Sequence, residues 1–277
     1  MTAGKKLCTL AMAAGALYGS LATHLVQAHD YWLLPNEYVA SSDTAKWITV
    51  DVTASNTVFV ADKGFSLDDL TISAPQGESE RLAHYFKGKR KSVFDLKLAE
   101  EGTYRLRLQD TRFLTFYRMP GSDRMHRMEA DKLQRHLLLP EGAENVETLE
   151  IQGKSTTYVT RRAPSSENIK LQNKGLELDF GVHPNDVVSG EAFHFKVLLN
   201  GKPVTDEMLL EIIPDGTLYR DQRGDIQLQP DNTGAVSFTP PQAGRYLLKA
   251  ELMQDTDSER ADGQEHALFL TFEAQPG

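Results

Sequence analysis

The chain has 277 residues, a formal net charge of −9 and a single cysteine, Cys8. The length suits one large domain or two small ones. The acidic balance argues against a nucleic-acid partner, because phosphate binding needs basic clusters, and one cysteine allows no internal disulfide.

The first 28 residues read as a secretory signal peptide. Lys5 and Lys6 precede an apolar run from Leu7 to Leu25, and Val26-Gln27-Ala28 places small or apolar residues three and one before the cut. Gly15, Gly19, Ser20, Thr23 and His24 interrupt the run and make it a poor membrane span. Cleavage after Ala28 leaves 277 − 28 = 249 residues beginning with His29, without Cys8, and so without thiolate ligands or cysteine nucleophiles. Residues 1–28 carry two lysines and no Asp or Glu, so the charge moves from −9 to −11. The expected location is the periplasm, with no membrane span in the mature chain.

Strand patterns follow. In "WITVDVTA", Ile48, Val50 and Val52 share one face. "SVFDLKLAEEGTYRLRL" repeats the alternation, with Phe94, Leu96 and Leu98 before a turn at Glu101-Gly102 and Tyr104, Leu106 and Leu108 after it. Period-two patterning of this kind predicts half-buried antiparallel strands. "GSDRMHRMEADKLQRHLLLPEG" has helix formers, a Ser122-Asp123 cap and a stop at Pro140, which predicts a helix over about 123–137 with an Asp131–Arg135 pair. A polar linker, "RRAPSSENIKLQNKG", comes next.

Seven short strands punctuated by Asn200-Gly201, Asp215-Gly216, Asp231-Asn232-Thr233-Gly234 and Ala243-Gly244 then predict an immunoglobulin-like sandwich. The expected fold is all-β. Two β-sandwich domains, over 29–160 and 161–277, are separated by one short helical excursion.

The stretches "AHDYWLLP", "VDVTASNTVFVADKGFSLDDLTISAPQGE", "LELDFGVHPNDVVSGEAFHFKVLLNGKPV", "IPDGTLYRDQRGDIQL" and "GAVSFTPPQAGRYLLKAEL" together resemble a family of periplasmic components of nickel or cobalt uptake, a NikM-like group. The resemblance covers nearly the whole mature chain, and "HPND" and "LYRDQ" are its most specific parts. It implies β-rich domains, export, and a link to a divalent transition metal. It also implies as partners a TonB-dependent outer-membrane receptor or an inner-membrane metal transporter. The chain departs from the family pattern at Ala54-Ser55, where many relatives carry Gly-His, and at "MQDTDSERADGQ", where many carry aromatics and histidines.

The residues themselves supply candidate ligands. A terminal His29 offers its amine and near ring nitrogen as a chelate, and neither group loses its proton at great cost near neutrality. Nitrogen donors suit nickel, cobalt, copper and zinc. Asp30 adds an oxygen. His183, fixed in the "HPND" turn by Pro184, and Asp186 after it complete the expected metal set. The alternatives are a frayed terminus for His29 and a loop-capping role for His183. His194 and His266 read as structural strand histidines. Met119, Met125, His126, Met128 and His136 form a weaker copper candidate, with core packing as the alternative. Arg220, Asp221, Arg223 and Asp225 read as an ion-paired loop or a contact surface.

No nucleophile elbow, Walker loop, HExxH or dinucleotide fingerprint is present in the sequence, so the chain reads as a binding protein rather than an enzyme. Metal binding for uptake of nickel, cobalt or copper, as ion or chelate, is the expected function. A metal-free envelope interaction module that docks a receptor is the alternative.

Overall fold

A computed structural model describes residues 30–77, 79–205 and 208–277. The expected signal peptide over residues 1–28 and His29 lie outside the described residues. In chain order the first strands are β1 (Asp30–Pro35), β2 (Val39–Ala40), β3 (Lys46–Ser55), β4 (Leu70–Ser73), β5 (Ser79–Arg81), β6 (Phe86–Lys87), β7 (Ser92–Leu98), β8 (Gly102–Arg118), β9 (Met125–Glu129) and β10 (Glu144–Arg161). The rest are β11 (Leu176–Phe180), β12 (Phe193–Leu199), β13 (Lys202–Pro203), β14 (Leu209–Pro214), β15 (Ile226–Leu228), β16 (Ala235–Phe238), β17 (Gly244–Asp255) and β18 (Gly263–Ala274). Among the described residues, one α-helical turn, α1 (Arg135–Leu138), and short 3-10 turns at Glu167–Ile169 and Thr217–Tyr219 complete the all-β fold.

The strands build three sheets. One runs β1-β3-β7-β6. A central sheet runs β15-β14-β17-β18-β10-β8-β4-β5, with β2 beside β10 and β9 beside β8. The third joins β11, β12 and β13, with β16 on the other side of β12. The alternation read from "WITVDVTA" holds: Ile48, Val50 and Val52 are all buried.

The central sheet is covered on both faces, and its sequence says why. Along β17, Tyr246, Leu248, Ala250 and Leu252 enter one core while Leu247 enters the other. Along β18, Leu268, Leu270 and Phe272 face the first core and Ala267 and Phe269 the second. Strands apolar on both faces read as nearly continuous hydrophobic runs, as "YLLKAEL" and "HALFLTF" do. Burying each such leucine or phenylalanine stabilises the fold by about 1.5–3 kcal/mol.

The two cores follow the two halves of the chain, but the halves share this sheet. β10, which ends at Arg161, runs parallel to β18 from Leu149↔Gly263 to Thr157↔Thr271 and antiparallel to β8. The boundary expected near residue 160 therefore falls at the end of a central strand.

The helix expected over 123–137 is corrected. Its first part is β9, paired antiparallel with β8 through Phe116↔Arg127 and Tyr117↔His126. The Tyr117 and His126 rings stack with centroids 5.3 Å apart, and Met125 packs against Leu114, Phe116 and Ile151. Pairing to the long edge of β8 outweighs a helix propensity worth tenths of a kcal/mol per residue. Helix is left at α1 alone. Asp131 does not pair with Arg135. It accepts from the Gln134 amide at 2.8 Å and from Arg260 Nε at 2.9 Å, while Arg135 pairs with Asp262. Among the described residues, no helix is long and apolar enough to cross a membrane.

Candidate functional site

The best-defined charged site lies where β1 begins. β1 pairs with β3 from Asp30↔Ser55 to Pro35↔Val50 and is seated on the central sheet by its own side chains. Tyr31 packs on Phe269 at 4.6 Å and Phe65 at 6.1 Å, and Trp32 on Phe59 at 5.9 Å. The Leu33 carbonyl accepts from Thr271 Oγ1 at 2.6 Å. Glycine is required opposite this strand: a Cβ at Gly153 would stand 2.4 Å from the Tyr31 hydroxyl and 2.5 Å from Asp110 Oδ1.

This seating buries Asp30, 4% exposed, among charges from three other strands and a loop. Its Oδ2 lies 3.0 Å from Arg223 and its Oδ1 forms an ion pair with Lys249 Nζ at 3.0 Å. Lys249 also reaches Glu251 at 3.1 Å, and Arg223 stands 3.6 Å from Glu211. Glu265 is diagonal to Glu251 across the β17–β18 ladder, where Glu251 pairs with Ala267 and Met253 with Glu265. Four carboxylates thus surround Arg223 and Lys249.

The electrostatics follow from that imbalance. Burial pushes Glu251 up to about 7; Lys249 opposes the shift and Glu265 adds to it. Burial also raises Glu265, against Lys249 and Arg112. Burial works against the Lys249 charge, but Glu251 and Asp30 outweigh it and hold its pKa up.

A carboxyl whose folded pKa is raised binds more protons folded than unfolded. Its stabilising effect is present below the unfolded value and is lost as pH rises through the folded one. Glu251 is therefore expected to make stability fall between about pH 4.5 and about 7. Urea unfolding across that range should show the loss in the native protein and a shallower slope in Glu251→Gln. An unchanged slope in the variant would contradict this assignment.

His183 and Asp186 lie elsewhere. His183 Nδ1 accepts from the Asn185 amide at 3.1 Å, so Nε2 carries the proton and donates to Thr103 Oγ1, also at 3.1 Å. Thr103 continues to Thr160 and Asn185 in a buried network. Burial lowers the His183 pKa, with Asp186 opposing. The ring clasps the loop before β12 to the third-sheet side of β8 and β10, across the central sheet from Asp30. Asp186 is exposed, and its amide donates to the His183 carbonyl at 2.8 Å. The structure thus does not bring His183 and Asp186 to Asp30. Of the copper candidates, Met119 follows β8, Met125, His126 and Met128 lie on β9, and His136 lies on α1. Among the described residues no group of three or more His, Cys, Asp and Glu is arranged to hold a metal.

The "TLYRDQRGD" loop is not a local ion-pair network. Gly216 turns the chain at φ 87°, Thr217 Oγ1 donates to the Val58 carbonyl at 2.7 Å, and Arg220 donates to the Pro214 carbonyl at 2.8 Å. The loop's fold delivers Arg223 to Asp30, 193 residues earlier. It leaves Leu218 63% and Tyr219 88% exposed on the rim. Sequence reasoning singled out this stretch but missed Lys249, Glu251 and Glu265. Their signal was a charged residue recurring inside the apolar runs of β17 and β18.

A family described as "Domain of unknown function (DUF4198)" matches residues 26–254. No curated protein matches the chain.

Proposed function

Because the chain belongs to this family, whose function is unknown, we propose from its own residues that it is an exported periplasmic protein that binds a divalent transition metal for uptake. Nickel or cobalt is the favoured cargo and copper the alternative, taken as the ion or a chelate. The observation that carries the reading is the carboxylate-rich cluster around Asp30, one residue after the expected mature terminus. Asp30 is committed to Arg223 and Lys249, so its role is to anchor the first strand rather than to lead coordination. Glu251 and Glu265, whose pKa values burial raises, are the acidic groups a bound cation stabilises as carboxylates. The amine and imidazole of His29 supply the nitrogen donors. Ser55, directly across the ladder from Asp30, occupies a position of the family departure noted above. A ligand set that needed the histidine of that Gly-His pair would be incomplete here, so the reading rests on the terminus and the acidic groups alone.

The test compares nickel and copper affinity by calorimetry for the protein beginning at His29, a form with one alanine added before His29, and His183→Ala. The extension is expected to weaken binding at least tenfold, because it turns the free amine into an amide. His183→Ala is expected to bind as the native protein does. Equal affinity of the extended form would refute the terminal chelate.

The exposed Leu218 and Tyr219 beside Arg223 favour a second reading, an interaction module that docks a TonB-dependent receptor or another envelope protein. A purified protein that retains no divalent ion and takes none up supports that reading over the first.

A further inference from the structure

On the opposite face of the central sheet, a small cleft open to solvent lies between β10, β18 and the start of β11. His266 lines it, 3% exposed, with neither ring nitrogen bonded to any partner. Beside His266 in the same wall stands Lys154, 8% exposed. Its ammonium donates to the carbonyls of Lys174 at 3.3 Å and Leu176 at 2.9 Å, and among the described residues it has no carboxylate within ion-pair distance. Lys154 is shared with an adjoining cleft that Arg107 lines. Arg107 bonds Gln172 Oε1 at 2.6 Å and leaves its Nε unpartnered.

Two carboxylates are near. Glu177 spends its oxygens on the amides of Gln172 and Lys174, each at 3.0 Å, and Glu150 accepts from Gln152 at 3.0 Å. The cleft therefore carries one buried ammonium and an idle imidazole with no carboxylate paired to either, Glu177 and Glu150 acting on them only at a distance. A buried charge in this condition costs free energy until it is paired.

We propose that this cleft binds a small oxyanion, a carboxylate or phosphate group, between Lys154 and His266. Charge sets the class, since a cation there would meet an ammonium. Size limits it to a compact group. Burial lowers the pKa of His266, and it lowers that of Lys154 to about 8, with Arg107 adding to the second shift. A bound anion reverses both effects. The inference is independent of the terminal histidine and of the metal reading.

The test uses the native protein. The imidazole resonances of His266 are followed by NMR while inorganic phosphate or acetate replaces chloride at constant ionic strength. A saturable shift with a raised His266 pKa is expected. The preferred anion distinguishes a phosphate from a carboxylate ligand. Lys154→Gln should weaken the response about tenfold or more, the worth of one charge-assisted hydrogen bond, while Lys196→Gln, at an exposed position of β12, leaves it unchanged. Absence of a saturable shift with both anions in the native protein overturns the proposal, as does a Lys154→Gln variant that responds normally.

Discussion

Lys249→Met is expected to destabilise the protein by about 3–5 kcal/mol, the cost of removing one partner from a buried ion pair. Lys249 and Asp30 are 5% and 4% exposed, so solvent does little to screen what is left behind. Methionine fills a similar volume, and the loss therefore reads charge rather than packing. Without the ammonium, Asp30 keeps Arg223, but Glu251 loses its ion-pair partner beside Glu265. For a chain of this size the midpoint of thermal unfolding should fall by about 10 °C. Adding Glu251→Gln to Lys249→Met should recover part of the loss, because one fewer carboxylate is stranded. A single-variant cost under about 1 kcal/mol would mean that the cluster behaves as a solvated surface pair.

Trp32→Ala is expected to cost about 3–5 kcal/mol, as truncations of large buried aromatics do. Trp32 is 1% exposed and packs on Phe59 within the core between the first and central sheets. The effect should reach function as well as stability. β1 is held by β3, by the Tyr31 and Trp32 rings and by one Thr271 hydroxyl, and it carries Asp30 into the cluster. Under the proposed metal reading, weaker seating of this strand is expected to lower metal affinity together with stability. Trp47→Ala on β3 is the control: at 63% exposure it should change stability by no more than about 0.5 kcal/mol. Denaturant midpoints of the two variants settle the contrast.

The β class was legible because its signal is local. Ile48, Val50 and Val52 alternate within eight residues, and Phe193 and Phe195 flank the exposed His194 as the pattern requires. The shared central sheet was not legible, because the parallel pairing of β10 with β18 joins residues more than a hundred positions apart, such as Leu149 and Gly263. Nothing in either segment names its partner. The 123–137 stretch misled because "MHRME" serves a helix and an edge strand equally well in isolation, and only β8 decides between them.

The site divides in the same way. Asp30 and the "LYRDQR" loop were visible as separate features, and their meeting through Arg223 spans 193 residues. His183 looked like a ligand because a turn histidine near an aspartate often is one. Its ring is instead bonded at both nitrogens, to Thr103 and Asn185. His266 looked structural because it shares phase with Leu268 and Leu270, and phase cannot show that its ring lacks a partner.

The central claim, that the mature terminus and the Asp30 cluster hold a transition metal, is tested most directly by intact mass and metal content of the exported protein purified without chelator. A mass beginning at His29 and one nickel, cobalt or copper ion per chain, lost when a residue precedes His29, is the expected result. A protein that begins at His29 yet is metal-free, and stays so after metal is added, would contradict it.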